Sequence, residues 1–195
     1  MTSQIDNAKV SAIEHANLLA DRARAAGLEM ARVGGEKRTR ALLAMASAMR
    51  DCRGSILEAN ARDLAAAGDT DLGDAIVDRL RLDEKRVEKM AISIEQVALQ
   101  ADPVGETVWS TVRPNGLRIE RRRVPLGAIL IIFESRPNVT SDAAALCIRS
   151  ANAAVLRGGK EAIHTNSAIG KVITAAADSA GLPPHAVQVV TDADR

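Results

Sequence analysis

The stretch VPLGAILIIFESRPN, residues 124–138, constrains the fold more than any other part of the chain. From Gly127 to Phe133 it is apolar without alternation. Strands with one wet face alternate, so an unbroken run predicts a parallel strand buried on both faces. Such a strand needs a crossover before its neighbour, and the sequence supplies one. VTSDAAALCIRSAN reads as a helix and AAVLRGG as a second short strand. Asn166 to Ala180 reads as a helix with Ile169, Val172, Ile173 and Ala176 on one face, and AVQVV as a third strand. Gly181 and Pro183-Pro184 close the second helix in the expected order. Residues 127–190 thus read β-α-β-α-β, the pattern of an open doubly wound sheet.

The chain ahead of this run is helical. Val10, Ile13, Ala16, Asn17 and Ala20 follow helical spacing, with Gly27 as a terminator. After Gly34-Gly35 a long helix is predicted from about Glu36 to Asn60, with Ala41, Leu42, Met45, Ala48 and Met49 on one face. Gly68, Asp69, Asp71 and Gly73 mark turns around a short helical piece ending near Leu80. Asp83 is placed to cap a helix over 84–100 whose buried stripe is Val87, Met90, Ile94 and Val97. Asp102-Pro103 stops it. Pro114-Asn115-Gly116 then separates two extended runs, which predicts an antiparallel hairpin. The expected class is α/β, in three parts. Residues 1–105 are helical, 106–124 form a hairpin arm, and 125–195 hold an incomplete, Rossmann-like parallel sheet.

Composition excludes several functions. Among 195 residues, 26 basic side chains face 25 acidic ones, for a net charge of +1. A general polyanion binder would carry an excess. Trp109 and Phe133 are the only aromatics, too few to stack single-stranded nucleic acid. Cys52 and Cys147 have no second Cys or His at metal-ligand spacing, so no metal site and no disulfide framework is expected. The N-terminus lacks the apolar core of a signal peptide, and no run reaches the roughly 18 apolar residues of a membrane span. The expected compartment is the cytoplasm.

In open α/β sheets ligands lie beyond the carboxyl ends of strands, and two polar clusters fall there. In RGGKEA, Gly158 and Gly159 allow close backbone approach. Arg157 and Lys160 supply charge for phosphate, and Glu161 can accept hydrogen bonds from ribose hydroxyls. A Gly-Gly turn with solvated charges would read the same. In ESRPN, Pro137 fixes the chain before Asn138. The amide can stabilise a developing oxyanion or simply cap the next helix. Glu134 and Arg136 can form a surface ion pair with no further role.

RVPLGAILIIFESRPNVTSDAAALCIRSANAAVLRGGKEAIHTNSAI resembles the gamma-glutamyl phosphate reductase family of the aldehyde dehydrogenase superfamily. The likeness extends upstream through AIVDRLRLDEKRVEKMA, DPVGE and RPNGLRIERRRVPLG, so it covers nearly the whole chain. The resemblance implies reduction of L-glutamyl 5-phosphate by NADPH to L-glutamate 5-semialdehyde, with phosphate release, in proline biosynthesis. It implies Asn138 as the oxyanion-stabilising residue. Arg157, Gly158, Gly159, Lys160 and Glu161 are implied on the cofactor side, Arg157 standing where the superfamily has a lysine near the adenosine ribose. Glu134, Ser135 and Arg136 are left to orient Asn138 or to meet the substrate. A homo-oligomer of the full-length form and partnership with glutamate 5-kinase are further implications.

The family's nucleophilic cysteine lies downstream, before Asn and Ala. No Cys-Asn pair occurs here, and both cysteines read as structural. The catalytic domain is therefore expected to be absent and the isolated chain inactive. Strand AVQVV would be left near a sheet edge, which favours association. A non-catalytic nucleotide-binding fragment, an interaction module and a poorly folded truncation product are the competing readings. Ala151-Asn152 stands where the family usually has Gly-Asn, a change expected to be without consequence.

Overall fold

In the computed structural model, which describes residues 2–68 and 73–191, five helices lead the chain. They are α1 (Thr2–Met30), α2 (Gly35–Asp51), α3 (Arg53–Gly68), α4 (Asp74–Leu80) and α5 (Glu84–Leu99). A hairpin follows, β1 (Thr107–Val112) and β2 (Arg118–Arg122), paired antiparallel. Then come β3 (Ala128–Ile132), α6 (Pro137–Arg149), β4 (Ala153–Arg157), α7 (Ile163–Ser179) and β5 (Val187–Val189). These three strands pair in parallel in the order β3-β4-β5. The helix-rich α/β architecture, the hairpin and the parallel sheet agree with the sequence reading. The turn residues Asp69 and Asp71 and the side chain of Val10 lie outside the described residues.

Local chemistry explains most of the boundaries. The Asp83 carboxylate accepts from the Arg86 amide at 2.6 Å and caps α5. Its stripe of Val87, Met90, Ile94 and Val97 is buried against α2 and α6. Gly116, at φ 85, makes the hairpin turn. Gly181, at φ 82, ends α7, and the Leu182 amide reaches back to the Ala177 carbonyl at 3.1 Å. α7 begins earlier than expected because a 3-10 turn over Lys160–Ala162 leads directly into Ile163.

Four expectations are corrected. Gly27 does not end α1, which runs to Met30. A Cβ there would stand 2.7 Å from the Gly127 carbonyl carbon, so this glycine admits close approach of helix to loop. The long helix expected over 36–60 is two helices. Cys52 adopts φ −95, ψ 14 and interrupts it, so that α2 packs on α5 and α7 while α3 packs on α7. β3 is not buried on both faces, because Ala128, Leu130 and Ile132 are exposed while Ile129 and Ile131 pack on the core. The described helices α6 and α7 cover one face. On the other, α1 buries Ala23, Ala26, Gly27 and Met30, and Ile13, Ala16, Asn17 and Ala20 are exposed. β4, between the other two strands, is the one whose residues are buried almost throughout.

The fourth correction concerns Ala151. Its φ is 58, in the left-handed region where an L side chain costs roughly 1–2 kcal/mol. The alanine therefore does have a consequence. Its neighbour Asn152 holds the turn, donating its backbone N–H to the Cys147 carbonyl at 2.8 Å and accepting from the Gly127 amide at 2.8 Å. His185 has the same conformation at φ 64 but is exposed. His185→Gly should therefore stabilise the fold by about 0.5–1 kcal/mol, after the added flexibility of the unfolded glycine is subtracted. The midpoint of denaturant unfolding reads this directly. A loss of similar size would mean that the imidazole makes contacts outweighing the strain.

Candidate functional site

The polar cluster ESRPN follows β3 for a geometric reason. Phe133 continues the β3 pairing through its amide to the Arg157 carbonyl at 3.0 Å, and the chain then turns into α6. Arg136 is the residue before the first turn, at φ −124, ψ 95, and Pro137 occupies the first helical position. Asn138 is thus two residues past the cap position, and the capping reading falls. Its side chain is exposed and its amide donates to Asp142 Oδ2 at 3.1 Å.

The two loops beyond β3 and β4 lock together. The buried Ser135 hydroxyl donates to Glu161 Oε2 at 2.5 Å. A Cβ on Gly159 would meet that hydroxyl oxygen at 2.5 Å, and one on Gly158 would meet Asn166 Nδ2 at 2.1 Å. The space over both glycines is filled by the protein's own side chains. Asn166 is itself held by the Thr140 hydroxyl, which donates to its Oδ1 at 2.9 Å. From below, the buried Asp63 of α3 accepts from the Thr165 amide at 2.7 Å and the His164 amide at 3.1 Å, and so caps α7 from across the fold.

A pocket of about 540 Å³ opens over this junction, lined by Arg79, Phe133, Ser135, Arg136, Gly159 and Glu161 among others. Glu134 borders it, 78% exposed, with Arg79 at 3.9 Å and Arg136 at 4.0 Å. Such exposed pairs contribute little to stability. Beside it lies a smaller cleft of about 300 Å³, where Asn138 meets Arg79, Arg81, Arg86 and Lys89. Arg79 belongs to both. Arg157 takes another direction. It lines a third, apolar groove of about 580 Å³ between α1 and the uncovered sheet face, with Leu19, Leu130, Val155 and Val190. Lys160 is exposed. The structure therefore gathers Glu134, Ser135, Arg136, Gly159 and Glu161, sets Asn138 next door, and separates Arg157 from them.

Sequence reasoning assigned no role to Arg79, Arg81, Arg86 or Lys89. The signal was present in DRLRLDEKRVEK, whose basic residues recur across a turn between two helices, but spacing alone does not bring them to Asn138. Neither cysteine belongs to the site. Cys147 is buried in α6, and burial pushes its thiol up to about 11. Cys52 is exposed at the end of α2. In the native protein iodoacetamide at neutral pH should alkylate Cys52 and leave Cys147 free until denaturant is added, because only a thiolate reacts. Peptide mass mapping checks this, and rapid native labelling of Cys147 would contradict it.

The fold is that of a known class. The sequence profile of the Aldehyde dehydrogenase family matches residues 2–195, and the chain belongs to that family. Among its relatives, the gamma-glutamyl phosphate reductase of Moorella thermoacetica is 49% identical over 174 residues, covering 89% of this chain and 42% of its own. That of Novosphingobium aromaticivorans is 46% identical over 195 residues, 100% of this chain and 46% of its own. The chain thus spans less than half the length of these relatives. The crystal structure of the Thermotoga maritima gamma-glutamyl phosphate reductase superimposes with a TM-score of 0.87 at 38% identity, over 91% of this chain and 43% of that one. The Saccharomyces cerevisiae reductase gives 0.85 at 35% identity, over 89% and 45%. No described helix is long and apolar enough to cross a membrane.

Proposed function

We propose that this segment is the cofactor-side part of a gamma-glutamyl phosphate reductase. The whole protein would reduce L-glutamyl 5-phosphate to L-glutamate 5-semialdehyde with NADPH and release phosphate, as a step of proline biosynthesis in the cytoplasm. The observation that carries the reading is the convergence of ESRPN and RGGKEA at the carboxyl ends of adjacent parallel strands, locked by Ser135 and Glu161. The relatives' shared name supports the reaction.

The residues present fit a nicotinamide dinucleotide. The pocket of about 540 Å³ offers an apolar wall of Ile76, Ile132 and Phe133, cations at Arg79 and Arg136, and a carboxylate at Glu161 suited to ribose hydroxyls. Ser135 orients that carboxylate. Gly159 and Glu161 of the 3-10 turn line the pocket beside Ser135. When bound, the cofactor supplies the hydride. The chain's own residues hold and orient it, and Asn138 offers an N–H to the oxygen of the reacting carbonyl. The nucleophilic thiolate is assigned to neither Cys52 nor Cys147. A homo-oligomer and association with the kinase that makes the acyl phosphate belong to the same proposal.

The cofactor assignment is tested in a full-length protein carrying this segment. The 2′-phosphate of NADPH beside a cation gains a charge-assisted hydrogen bond of roughly 1.5–3 kcal/mol. Lys160→Ala or Arg157→Ala should therefore narrow the preference for NADPH over NADH about tenfold or more. Lys160 is the better candidate, since Arg157 lines the groove under α1. If neither substitution changes the ratio of the two affinities, the phosphate-site assignment is wrong.

A further inference from the structure

We propose that the basic cleft between α4, α5 and the start of α6 is a phosphoryl-binding subsite, with Arg81 and Lys89 as its principal cations. The inference rests on the reductase reading above and adds the seat of the substrate's phosphate. The cleft holds Arg79, Arg81, Arg86, Lys89 and Asn138 within about 300 Å³, too small for a dinucleotide and suited to a compact anion. The four cations differ in what they are free to do. Arg86 is committed: it donates to the Arg81 carbonyl at 2.7 Å and to Asp78 Oδ1 at 2.8 Å, and so fixes the turn that carries Arg81. Arg79 sits 3.9 Å from Glu134, a loose and exposed pair. Among the described residues Arg81 and Lys89 have no ion-pair partner. Like charges crowded in one cleft are repulsive unless an anion joins them. A phosphoryl dianion with several acceptor oxygens is matched by this set.

The position selects which anion. Asn138 lines the same cleft, and it is the group assigned to the acyl oxygen. In a γ-acyl phosphate the phosphorus is one bridging oxygen away from that acyl carbon. The α-carboxylate lies at the far end of the carbon chain. Positive charge next to Asn138 therefore meets the phosphoryl group and not the carboxylate. The phosphates of the cofactor share the same chemistry, and the experiment separates the two sources.

The test uses a full-length protein carrying this segment, without cofactor, and inorganic phosphate as the probe. Calorimetric titration is run at constant ionic strength balanced with chloride. Phosphate should bind, and Arg81→Gln with Lys89→Gln should weaken it at least tenfold. Both side chains are exposed, so folding is preserved, and the charge-retaining Arg81→Lys should keep most of the affinity. Acetyl phosphate should compete, whereas glutarate and 2′,5′-ADP should not. Absence of phosphate binding, or affinity indifferent to both substitutions, would overturn the subsite. Displacement by 2′,5′-ADP would reassign it to the cofactor, and displacement by glutarate to the carboxylate. Because no turnover is measured, a protein that binds phosphate as described yet lacks reductase activity would count against the proposed function alone.

Discussion

Asn138→Ala, made in a full-length protein carrying this segment, is expected to lower kcat by about 10²–10³-fold, the usual effect of removing one oxyanion donor. The side chain is exposed and makes one hydrogen bond, to Asp142 at 3.1 Å, so its loss should cost at most about 1 kcal/mol of stability. Pro137 in the first turn of α6 fixes the backbone from which the amide projects, and truncation leaves that backbone in place. The fall should appear in kcat with little change in KM, because the interaction strengthens as charge develops on the oxygen. Asn138→Asp should be at least as damaging, since a carboxylate repels the oxyanion. A drop of less than about threefold would reduce Asn138 to a surface residue tied to Asp142.

The largest effect on stability is expected at Asp63. This carboxylate is 3% exposed and receives the amides of His164 and Thr165 together with the Thr165 hydroxyl at 2.5 Å. It thereby caps α7 from α3, favoured by the positive end of the helix dipole. Asp63→Ala strips the partners from two backbone donors at a buried helix start and should cost about 2–4 kcal/mol. Asp63→Asn keeps one acceptor oxygen and should recover about half. Equilibrium unfolding of the three proteins checks both values. Since α7 follows directly from the glycine loop, Asp63→Ala should also loosen Gly158 to Glu161, seen as faster amide exchange there. A cost below about 1 kcal/mol would show that solvent replaces the carboxylate.

The parallel sheet was legible because its strands and helices differ in period, and Gly181 and Pro183-Pro184 punctuate them. The α5 cap was legible because Asp83 immediately precedes an apolar stripe. The break at Cys52 was missed although Asp51, Cys52, Gly54 and Ser55 are all weak helix formers. The bend lets α2 pack on α5 and α7 while α3 continues along α7. The exposed face of β3 escaped a rule that treats every unbroken apolar run as buried twice. For the site, the sequence indicated the two loops beyond β3 and β4, and sheet topology made them neighbours. The Asp63 cap and the arginines of α4 and α5 were invisible because they reach the site from over fifty residues away in the chain, through contacts that carry no local pattern.

The most direct measurement is the reverse reaction in a full-length protein carrying this segment, followed as NADPH formation from L-glutamate 5-semialdehyde and NADP with and without inorganic phosphate. A reductase of acyl phosphates requires phosphate to release the product, so the rate should rise from near zero and saturate with phosphate, and NADP should outperform NAD. Oxidation that proceeds at full rate without phosphate, with water releasing free glutamate, would make the protein an ordinary aldehyde dehydrogenase and contradict the account.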